Sequence, residues 1–334
     1  MTASKTINWG IMGPGVIARK MARALALIPE AKLVAAASKT PGRAQAFAEE
    51  YGVEQALTYE EIVRSPEIDI IYVATTHNFH YENARLALAH GKHVLMEKPF
   101  TVNAAEAREL VELAKKKNRF LMEAMWVRYL PSIRRLKQEV GSGVIGALKQ
   151  LKVNFGGFVK PWYEGRLKDP DLAGGVTLDI KIYPISFVCN LLQELPSEIK
   201  SMSRFSDRGV DELANYLFRF PSGAFANIST SFNLKMINRA EIYGSEGYIE
   251  FPNFMDGEAF TIYKHGGSND DQETIEVTEP NHENGFIYQA QEVVRCLQSG
   301  KTESDIMPLA ETVGLMRVMD KMRHEWGFKY PFEK

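Results

Sequence analysis

The first 124 residues alternate strand-like and helix-like segments regularly, and no other feature constrains the fold as strongly. "INWGIM" precedes the helical "VIARKMARALALI", "KLVAAAS" precedes "GRAQAFAEEYG", "IDIIYVAT" precedes "YENARLALAHG", and "HVLMEKP" precedes "AAEARELVELAKKKN". Short Val- and Ile-rich runs that alternate with helices are typical of parallel strands buried on both faces. The pattern therefore predicts an α/β fold in which residues 1–124 form a doubly wound parallel sheet.

The pattern changes after residue 124. Stretches of alternating polarity, among them "LKQLKVNFGGF", "AFANISTSF" and "EIYGSEGYIEF", follow one another with few helices between them. Such alternation is typical of antiparallel strands. We expect residues 125–334 to form an α+β domain with a large, mostly antiparallel open sheet. Helical segments at 285–299 and 303–325 would end the chain, and they could pack back on the first domain.

Composition narrows the partners. The chain has 334 residues and a net charge of -2, and its 40 Lys and Arg residues are spread along it. A small molecule is therefore the expected partner, rather than nucleic acid or a membrane. Cys189 and Cys296 lie in apolar, helix-like contexts that favour reduced thiols. The sequence shows no metal-ligand spacing, signal peptide or apolar run of about 18 residues, which predicts a cytoplasmic protein without a metal.

The stretch "GIMGPGVIA" contains Gly13-x-Gly15-x-x-Ala18 between a strand and a helix. Glycines let the backbone approach a pyrophosphate, and a helix that begins at Val16 and Ile17 offers free N–H groups to that anion. The flanking strands complete a βαβ unit of the expected size. The motif predicts dinucleotide binding, and the alternative is an ordinary glycine-rich turn.

The residues that end the second strand select the cofactor. An Asp or Glu there would bind the ribose 2′-hydroxyl of NAD. This chain instead has Ser38 and Lys39, with Arg43 one turn into the next helix. Because two cations can face a dianionic 2′-phosphate, the pattern favours NADP over NAD. The alternative is that both cations are solvated surface charges.

The apolar run "HVLM" ends on two successive charges, Glu97 and Lys98, and Pro99 follows them. In doubly wound sheets, ligands bind outside the carboxyl ends of the strands, so both side chains are predicted to lie where chemistry occurs. Pro99 restricts the backbone of Lys98, and the sequence leaves open whether the bond between them is cis.

The preceding strand ends in "TTHNFH". Its polar residues are predicted to lie at the same edge of the sheet and to contact the cofactor, namely Thr75, Thr76, His77 and His80. Histidines near a strand end also occur as loop or cap residues, which is the alternative for His77.

A helical run after Gly174 and Gly175 carries Asp179 and Tyr183 on one face, because residues four apart on a helix are neighbours. Hydride transfer to a carbonyl carbon requires a proton donor at its oxygen. A phenol near an ammonium ionises more easily, so Tyr183 is the predicted acid/base and Lys98 its electrostatic support. Asp179 would orient one of them or the substrate. Taken singly, each could be structural.

Three stretches resemble the glucose-fructose oxidoreductase and inositol dehydrogenase family (Gfo/Idh/MocA): Gly13-x-Gly15-x-x-Ala18, "EKP" at 97–99 and "GGVTLDIKIYP". "MEKPFTVNAAEAREL", "FLMEAMWVRYLP" and "GVIGALKQLKVNFG" are similar to its dimeric dihydrodiol dehydrogenase and NADP-dependent D-xylose dehydrogenase branch. The resemblance implies a Rossmann domain and then a sheet-rich domain that contacts substrate. It also implies a homodimer or homotetramer through the C-terminal sheet.

The resemblance assigns roles as well. It implies that Lys98 and Tyr183, where many relatives carry His, act together in proton transfer with Asp179 nearby. Lys39 and Arg43 fall where the branch has arginines on the 2′-phosphate.

Trp126 and Arg128 fall where the branch places residues beside the nicotinamide and substrate, so both are predicted cofactor contacts. Aromatic faces suit the C–H faces of sugar rings. Candidate pocket walls are therefore Trp126, Phe155, Phe158 and Trp162. Packing within the sheet is the alternative for each.

Lys181 departs from the family pattern LD-x-G-x-Y, which has Gly between Asp and Tyr. On a continuous helix, residue 181 lies about 200° around the axis from Asp179. The side chain is therefore predicted to point away from the face of Asp179 and Tyr183 and to spare the mechanism. Its effect on the size and shape of the substrate is left open.

These features predict an NADP-dependent oxidoreductase that interconverts an alcohol and a carbonyl on a sugar, polyol or cyclic diol. One alternative is a glycosidase-type redox enzyme of the same fold with a tightly held NAD, which Lys39 and Arg43 disfavour. The other is a non-catalytic NADP-binding sensor or regulator, which the presence of Lys98 and Tyr183 disfavours.

Overall fold

The structure, a computed structural model, describes residues 6–158, 165–265 and 272–333. The chain divides into two compact units: unit 1 comprises residues 1–126 and 282–316, and unit 2 comprises residues 127–281 and 317–334. The domain boundary after residue 124 stays a prediction, since a compact unit need not fold independently.

Unit 1 contains a six-stranded parallel sheet. Its strands are β1 (Ile7–Met12), β2 (Ala31–Ala37), β3 (Gln55–Leu57), β4 (Ile70–Val73), β5 (His93–Glu97) and β6 (Leu121–Ala124). The strand order β3-β2-β1-β4-β5-β6 is that of the doubly wound dinucleotide-binding fold, which confirms the predicted Rossmann sheet. Nearly every residue of β1, β4 and β5 is buried, which explains their continuous apolar runs.

Helices follow the strands of unit 1: α1 (Val16–Leu25), α2 (Pro41–Tyr51), α3 (Tyr59–Arg64), α4 (His80–Ala89) and α5 (Ala104–Lys117). Local signals set their first residues. Thr58 and Glu61 form a capping box at α3, and the Asn103 side chain accepts a hydrogen bond from the Glu106 N–H at the start of α5. The short β3 and α3 extend the alternation that the sequence pattern predicts.

Unit 2 is built on an eight-stranded sheet. Its elements are α6 (Pro131–Gly141), β7 (Leu148–Gly156), α7 (Val176–Asp179), α8 (Ile182–Leu192), β8 (Glu198–Phe205), β9 (Asp211–Arg219), β10 (Phe225–Ser231), β11 (Arg239–Gly244), β12 (Gly247–Pro252), β13 (Ala259–His265) and β14 (Gln272–Thr278). The strand order is β14-β13-β12-β11-β7-β10-β9-β8. Every pair is antiparallel except β7 with β10, so the mostly antiparallel sheet is confirmed.

The two faces of this sheet differ. Helix α8 packs against β7 and β10, and buried side chains such as Tyr216 and Phe218 alternate along β9 with exposed ones. The cross-strand register places exposed apolar side chains on the opposite face, including Met202, Leu217 and Phe225. This second face is exposed at these positions.

The helical run predicted after Gly175 is not continuous. Helix α7 ends at Asp179 and α8 begins at Ile182, and the axes of the two helical segments on either side of this break differ by 41°. Ile180 has φ -114°, outside the helical range, so Asp179 and Tyr183 lie on two helices rather than on one face of a single helix.

Two helices follow the second sheet: α9 (Phe286–Gln298) in unit 1, and α10 (Leu309–Glu325), which spans the boundary between the units at residue 316. The helix predicted from residue 303 therefore begins six residues later. Pro308 disfavours helical backbone at Met307, and the Glu303 carboxylate accepts a 2.8 Å hydrogen bond from the Leu309 N–H at the new start.

Candidate active site

The turn between β1 and α1 forms a glycine cradle. Gly13 has φ +89°, and a Cβ there would lie 2.9 Å from the Ala74 carbonyl oxygen. A Cβ on Gly15 would instead meet open space, with Gly13 O at 4.0 Å as its nearest neighbour. The backbone at Gly15 is thus accessible directly before the positive end of α1. These residues fit a pyrophosphate, so a nicotinamide dinucleotide would be held here by Gly13, Gly15 and the first N–H groups of α1.

The helix that follows the cradle, α1, also offers accessible backbone N–H groups for a pyrophosphate. Val16 and Ile17 supply the first two backbone N–H groups of α1, and the Val16 side chain is 50% exposed. Ala18 is fully buried, which permits close packing of the helix on the sheet. The predicted contacts of Val16 and Ile17 with a cofactor are therefore contacts of the main chain.

The end of β2 presents two exposed cations. The Lys39 Nζ lies 4.1 Å from the centroid of the Phe79 ring, and Arg43 is exposed on the first turn of α2. The Ser38 hydroxyl accepts a hydrogen bond from the Thr40 N–H at 3.0 Å and is buried. Unit 1 therefore brings Lys39 and Arg43 to the solvent at the strand end where the 2′-phosphate prediction requires them.

The His80 ring contacts the backbone after β4 and the backbone after β5. Its ring is fully buried, with Nε2 3.1 Å from the Thr75 carbonyl oxygen and Nδ1 2.8 Å from the Pro99 carbonyl oxygen. The Thr75 hydroxyl accepts a hydrogen bond from the Asn83 amide at 3.1 Å. His80 therefore connects the two strand ends, and its contact with a cofactor stays a prediction.

Two further residues of this turn are engaged locally. The Thr76 hydroxyl donates a hydrogen bond to the Asn78 side-chain oxygen at 2.7 Å. His77 is buried, and its ring packs edge to face on that of His80 with centroids 5.6 Å apart. These contacts agree with the alternative that His77 is a structural loop residue.

The Glu97 carboxylate shapes the end of β5. It accepts a short hydrogen bond from the Tyr72 hydroxyl and a 3.1 Å hydrogen bond from the Lys98 N–H. The Lys98–Pro99 peptide bond is cis. Glu97 therefore fixes the backbone of Lys98, which is a positioning contact that the sequence pattern did not reveal.

In unit 2, Asp179 pairs with a residue that the sequence analysis missed. The Arg166 Nη2 lies 3.4 Å from Asp179 Oδ1, and 12% of the Asp179 side chain is exposed. The two side chains form a partly buried salt bridge. No sequence motif marks Arg166, because it lies 13 residues before Asp179 and no pattern links the two positions.

Aromatic side chains surround Tyr183. The Phe155 ring meets that of Tyr183 edge to face, with centroids 6.0 Å apart, and also packs on Phe254 at 5.7 Å. Phe158 is 71% exposed, so it is available to a ligand and is not a packing residue of the sheet. Trp162 lies outside the described residues.

Trp126 and Arg128 have clear partners. Trp126 stacks on Phe286, with ring centroids 5.7 Å apart, within unit 1. The buried Arg128 donates to the Ser186 hydroxyl at 2.7 Å and to the Ser186 carbonyl oxygen at 3.0 Å within unit 2. Arg128 thus ties the turn after β6 to α8, and its contact with a cofactor stays a prediction.

The Lys181 side chain is buried inside unit 2. Lys181 lies between Asp179 and Tyr183 in the sequence, and its side chain is fully buried. Burial lowers the pKa of Lys181 to about 7. The prediction that the side chain leaves the face of Asp179 and Tyr183 agrees with its separate neighbours, Tyr216 and Trp326.

Within 6–158, 165–265 and 272–333, no group of three or more His, Cys, Asp or Glu side chains is arranged to hold a metal ion. Among the helices of these ranges, no single one has the length and hydropathy of a membrane span, whereas the bent pair Pro170–Asp179 and Ile182–Leu192 meets both together. The second helix of that pair is mostly buried inside the protein.

Family models match both halves of the chain. Residues 7–125 match the model "Oxidoreductase family, NAD-binding Rossmann fold", and residues 133–250 match that of the GFO/IDH/MocA C-terminal domain. The chain therefore belongs to the Gfo/Idh/MocA family of NAD(P)-binding oxidoreductases.

Several characterised proteins are similar over nearly their whole length. The chain is 31% identical to trans-1,2-dihydrobenzene-1,2-diol dehydrogenase from Mus musculus, covering 98% of this chain and 99% of the relative. It is 33% identical to D-xylose 1-dehydrogenase (NADP(+)) from Hypocrea jecorina, covering 98% and 93%. A 3-ketoreductase from Actinomadura kijaniata, solved with NADP and TDP-benzene, has a TM-score of 0.84 at 25% identity and covers 96% of this chain and 98% of that chain.

Proposed function

We propose that this protein is an NADP-preferring dehydrogenase that interconverts a CH–OH group and a carbonyl on a sugar, polyol or cyclic diol. The observation that carries the proposal is the end of β5, where Glu97 fixes the backbone of Lys98 on the same sheet edge as the glycine cradle at Gly13 and Gly15. A cationic side chain at this edge suits a reaction in which an oxygen gains or loses a proton.

The proposed acid/base is Tyr183, with Lys98 as its electrostatic support and Asp179 as an orienting group. A bound nicotinamide dinucleotide supplies or accepts the hydride. Tyr183 would hold the proton that the substrate oxygen gains in reduction and take it back in oxidation, and an ammonium charge would favour the tyrosinate form. The 3-ketoreductase has also been solved as two variants, one with a tyrosine changed to phenylalanine and one with a lysine changed to alanine. The same two residue types are the ones proposed here.

The preference for NADP is supported by charge. Lys39 and Arg43 are exposed at the end of β2, and that strand end has no acidic residue at positions 38 and 39. The fungal relative is an NADP(+) enzyme by its printed name, and the 3-ketoreductase was solved with NADP. We infer that the two cations bind the 2′-phosphate.

The aromatic side chains near Tyr183 support a sugar or cyclic diol as the substrate class. The Phe155 ring lies edge to face beside the phenol, and Phe158 is exposed nearby in the sequence. Aromatic surfaces of this kind suit the C–H faces of sugar and cyclohexadiene-diol rings, and the Asp179–Arg166 pair supplies polar contacts for hydroxyl groups. The relatives named for a diol and for xylose agree with this class.

Substitution of the proposed pair tests the function. Tyr183→Phe and Lys98→Ala should each lower kcat/KM by about 10²- to 10⁴-fold, because each removes a group that acts in proton transfer. Turnover is followed as reduced-nicotinamide absorbance with a panel of aldoses and cyclic trans-diols, and NADPH binding is followed by cofactor fluorescence. Tyr59→Phe and Lys116→Ala are the matched controls, because they change the same residue types on α3 and α5.

The outcomes separate the candidate functions. Near-normal turnover in either variant would refute the assignment of that residue. Binding of NADPH by the wild-type protein without turnover of any panel member would favour the sensor or regulator. Tight retention of NAD with cleavage of a glycoside would favour the glycosidase-type enzyme.

The open sheet face supports a homodimer or homotetramer. Met202 is 79% exposed there, and Tyr243, Tyr248 and Tyr263 form a stacked row across β11, β12 and β13 on the same face. Exposed apolar and aromatic area on an open sheet is typical of an interface between copies. A sedimentation-equilibrium mass of one chain at micromolar concentration would exclude this assembly.

A cytoplasmic location is also part of the proposal. The Cys189 and Cys296 thiols are both buried, which suits a reducing compartment. Fractionation of the producing cells, with the protein recovered outside the cytoplasm, would contradict it.

A further inference from the structure

Lys181 forms a buried hydrogen-bonded chain with two other residues of unit 2. Its Nζ donates to the Thr177 hydroxyl at 2.6 Å, and that hydroxyl donates to Asp211 Oδ2 at 2.5 Å. The same carboxylate oxygen accepts from the Thr177 N–H at 2.9 Å. Because a hydroxyl has one proton, its bond to Asp211 leaves its lone pairs for Lys181, and Thr177 joins the two charged groups.

Aromatic rings enclose the ammonium. Lys181 Nζ lies 4.5 Å from the Tyr216 ring centroid and 4.6 Å from the Trp326 ring centroid. The Trp326 indole N–H donates to the Ser201 hydroxyl at 3.0 Å, so the ring is held in place. Cation–π contacts of a desolvated ammonium are among the stronger ones, which offsets part of the cost of burying Lys181.

The charges around Lys181 come from two parts of unit 2. Burial lowers its pKa to about 7, the nearby Asp211 opposes this, and Arg323 adds to it. Burial also raises the pKa of Asp211 and of Tyr216, which both belong to β9. Tyr330, which the Arg323 guanidinium faces at 5.0 Å, is a further titratable group beside the cluster.

The chain of three residues spans the break between α7 and α8. Thr177 lies on α7 and Lys181 directly precedes α8. At the break, the Lys181 N–H bonds to the Val176 carbonyl oxygen five residues back at 3.0 Å, and the Ile180 N–H bonds to the same oxygen at 3.2 Å. Regular i to i-4 bonding is therefore interrupted, and the Lys181 side chain spans the interruption.

The backbone before α7 is shaped around the same carboxylate. Gly175 has φ +109°, and a Cβ there would lie 2.4 Å from Asp211 Oδ1. The Tyr330 hydroxyl donates to the Gly174 carbonyl oxygen at 2.6 Å from a buried position. The glycines of the family motif thus make room for Asp211 and accept support from the C-terminal segment.

We propose that Lys181 is a positioning residue that fixes Asp179 and Tyr183 relative to each other, through its bond to Thr177 and the Thr177 bonds to Asp211. The inference rests on the proposed function, in which Asp179 and Tyr183 act. The Lys181 side chain joins the two sides of the break, because Lys181 directly precedes α8 and its Nζ donates to the Thr177 hydroxyl on α7.

The test uses a matched pair at Thr177. Thr177→Val removes the hydroxyl with little change of shape, and Thr177→Ser retains it. Lys181→Met removes the ammonium and keeps the length of the side chain, and Lys321→Met removes an exposed ammonium from the same unit. Each variant carries 3-fluorotyrosine at position 183 alone, so that fluorine NMR reports the surroundings of Tyr183 without cofactor or substrate.

We expect Thr177→Val and Lys181→Met to shift or broaden the fluorine signal and to lower kcat on the order of 100-fold while KM changes little. Thr177→Ser and Lys321→Met should resemble the wild type in both measurements. All measurements are made well below the melting midpoint of each variant. If one of the first two variants does not fold, the other gives the result.

An unchanged fluorine signal in the folded variants would overturn the inference, whether or not kcat falls, because a loss of turnover would then not come from the position of Tyr183. A changed signal with unchanged kcat would overturn it as well. Normal turnover in Tyr183→Phe would instead overturn the proposed function, and the fluorine comparison would still judge the position of Tyr183 by itself.

Discussion

Lys39 and Lys181 place the same ammonium group in opposite surroundings. Lys39 lies at the end of β2 in unit 1, exposed to solvent and 4.1 Å from one aromatic ring. Lys181 lies at the start of α8 in unit 2, fully buried between two rings and bonded to Thr177. An exposed cation is suited to act on the charge of a ligand, whereas a buried cation acts on the protein around it.

The contrast extends to the residues that surround each lysine. In unit 1 the glycine cradle exposes backbone at Gly15, and a ligand there would need few side chains. In unit 2 the side chains of Thr177, Asp211 and Trp326 hold the backbone. One region is therefore built to receive a group from outside, and the other to keep its own geometry.

The largest expected effect is on stability. Lys181→Met should lower the free energy of unfolding by about 3–5 kcal/mol, because it leaves Asp211 buried without its cation. Lys39→Met should change it by less than about 0.5 kcal/mol, since an exposed charge away from such networks contributes little. Urea unfolding at pH 7, followed by circular dichroism, measures both.

The double variant Lys181→Met/Asp211→Asn is the control for this comparison. It leaves no uncompensated charge, so it should recover most of the lost stability. Equal losses in Lys181→Met and Lys39→Met would show that burial does not distinguish the two lysines.

The first sheet and its ligand edge could be predicted from local sequence. The strands of unit 1 are buried on both faces, so each appears as one continuous apolar run, and right-handed β-α-β connections leave few possible arrangements. Gly13 and Gly15 could be recognised because the φ angle and the open space that they provide are local properties of the turn.

The contacts that support the segment from Val176 to Tyr183 could not be predicted in the same way. The neighbours of Lys181 are Tyr216 and Trp326, which lie 35 and 145 residues further along the chain. The apolar pattern from residue 176 to 192 is the same for one helix as for two, so the break at Ile180 leaves no trace in it. The Asp179–Arg166 pair was missed because the two residues share no motif.

A smaller effect is expected on cofactor choice. Lys39→Ala/Arg43→Ala should weaken NADPH binding by about 1.5–3 kcal/mol, which is the loss of charge-assisted hydrogen bonds to the 2′-phosphate. This corresponds to roughly 10- to 100-fold in Kd. Binding of NADH should change little, and fluorescence titration with both cofactors measures the ratio.

Lys116→Ala/Arg108→Ala is the matched control, because it removes two exposed cations from α5 in the same unit. An unchanged NADPH to NADH ratio in the Lys39 and Arg43 variant would return both residues to the alternative of solvated surface charges. Equal losses of NADPH binding in both double variants would indicate a general charge effect.

The smallest effect concerns pH. The folded pKa of Lys181 is about 7, below its usual 10.5, so between these values the folded state binds fewer protons than the unfolded state. Its contribution to stability therefore rises with pH through this window, by at most about 1.4 kcal/mol per pH unit.

The stability gap between the wild type and Lys181→Met should consequently widen from pH 7.5 to pH 9.5. Unfolding curves in urea at several pH values measure the gap. A gap that does not widen over this range would mean that Lys181 stays charged in the folded protein and that its burial is matched by other interactions.

The parallel pairing of β7 with β10 has a consequence for the folding of unit 2. Since neighbouring parallel strands need a crossover, the chain between Gly156 and Phe225 has to leave the sheet and return to it. The connecting segment between β7 and β10 contains Asp179, Lys181 and Tyr183, together with strand β9, to which Asp211 belongs. Their arrangement depends on contacts between distant parts of the chain, which form slowly. Refolding should thus restore the first sheet before it restores turnover.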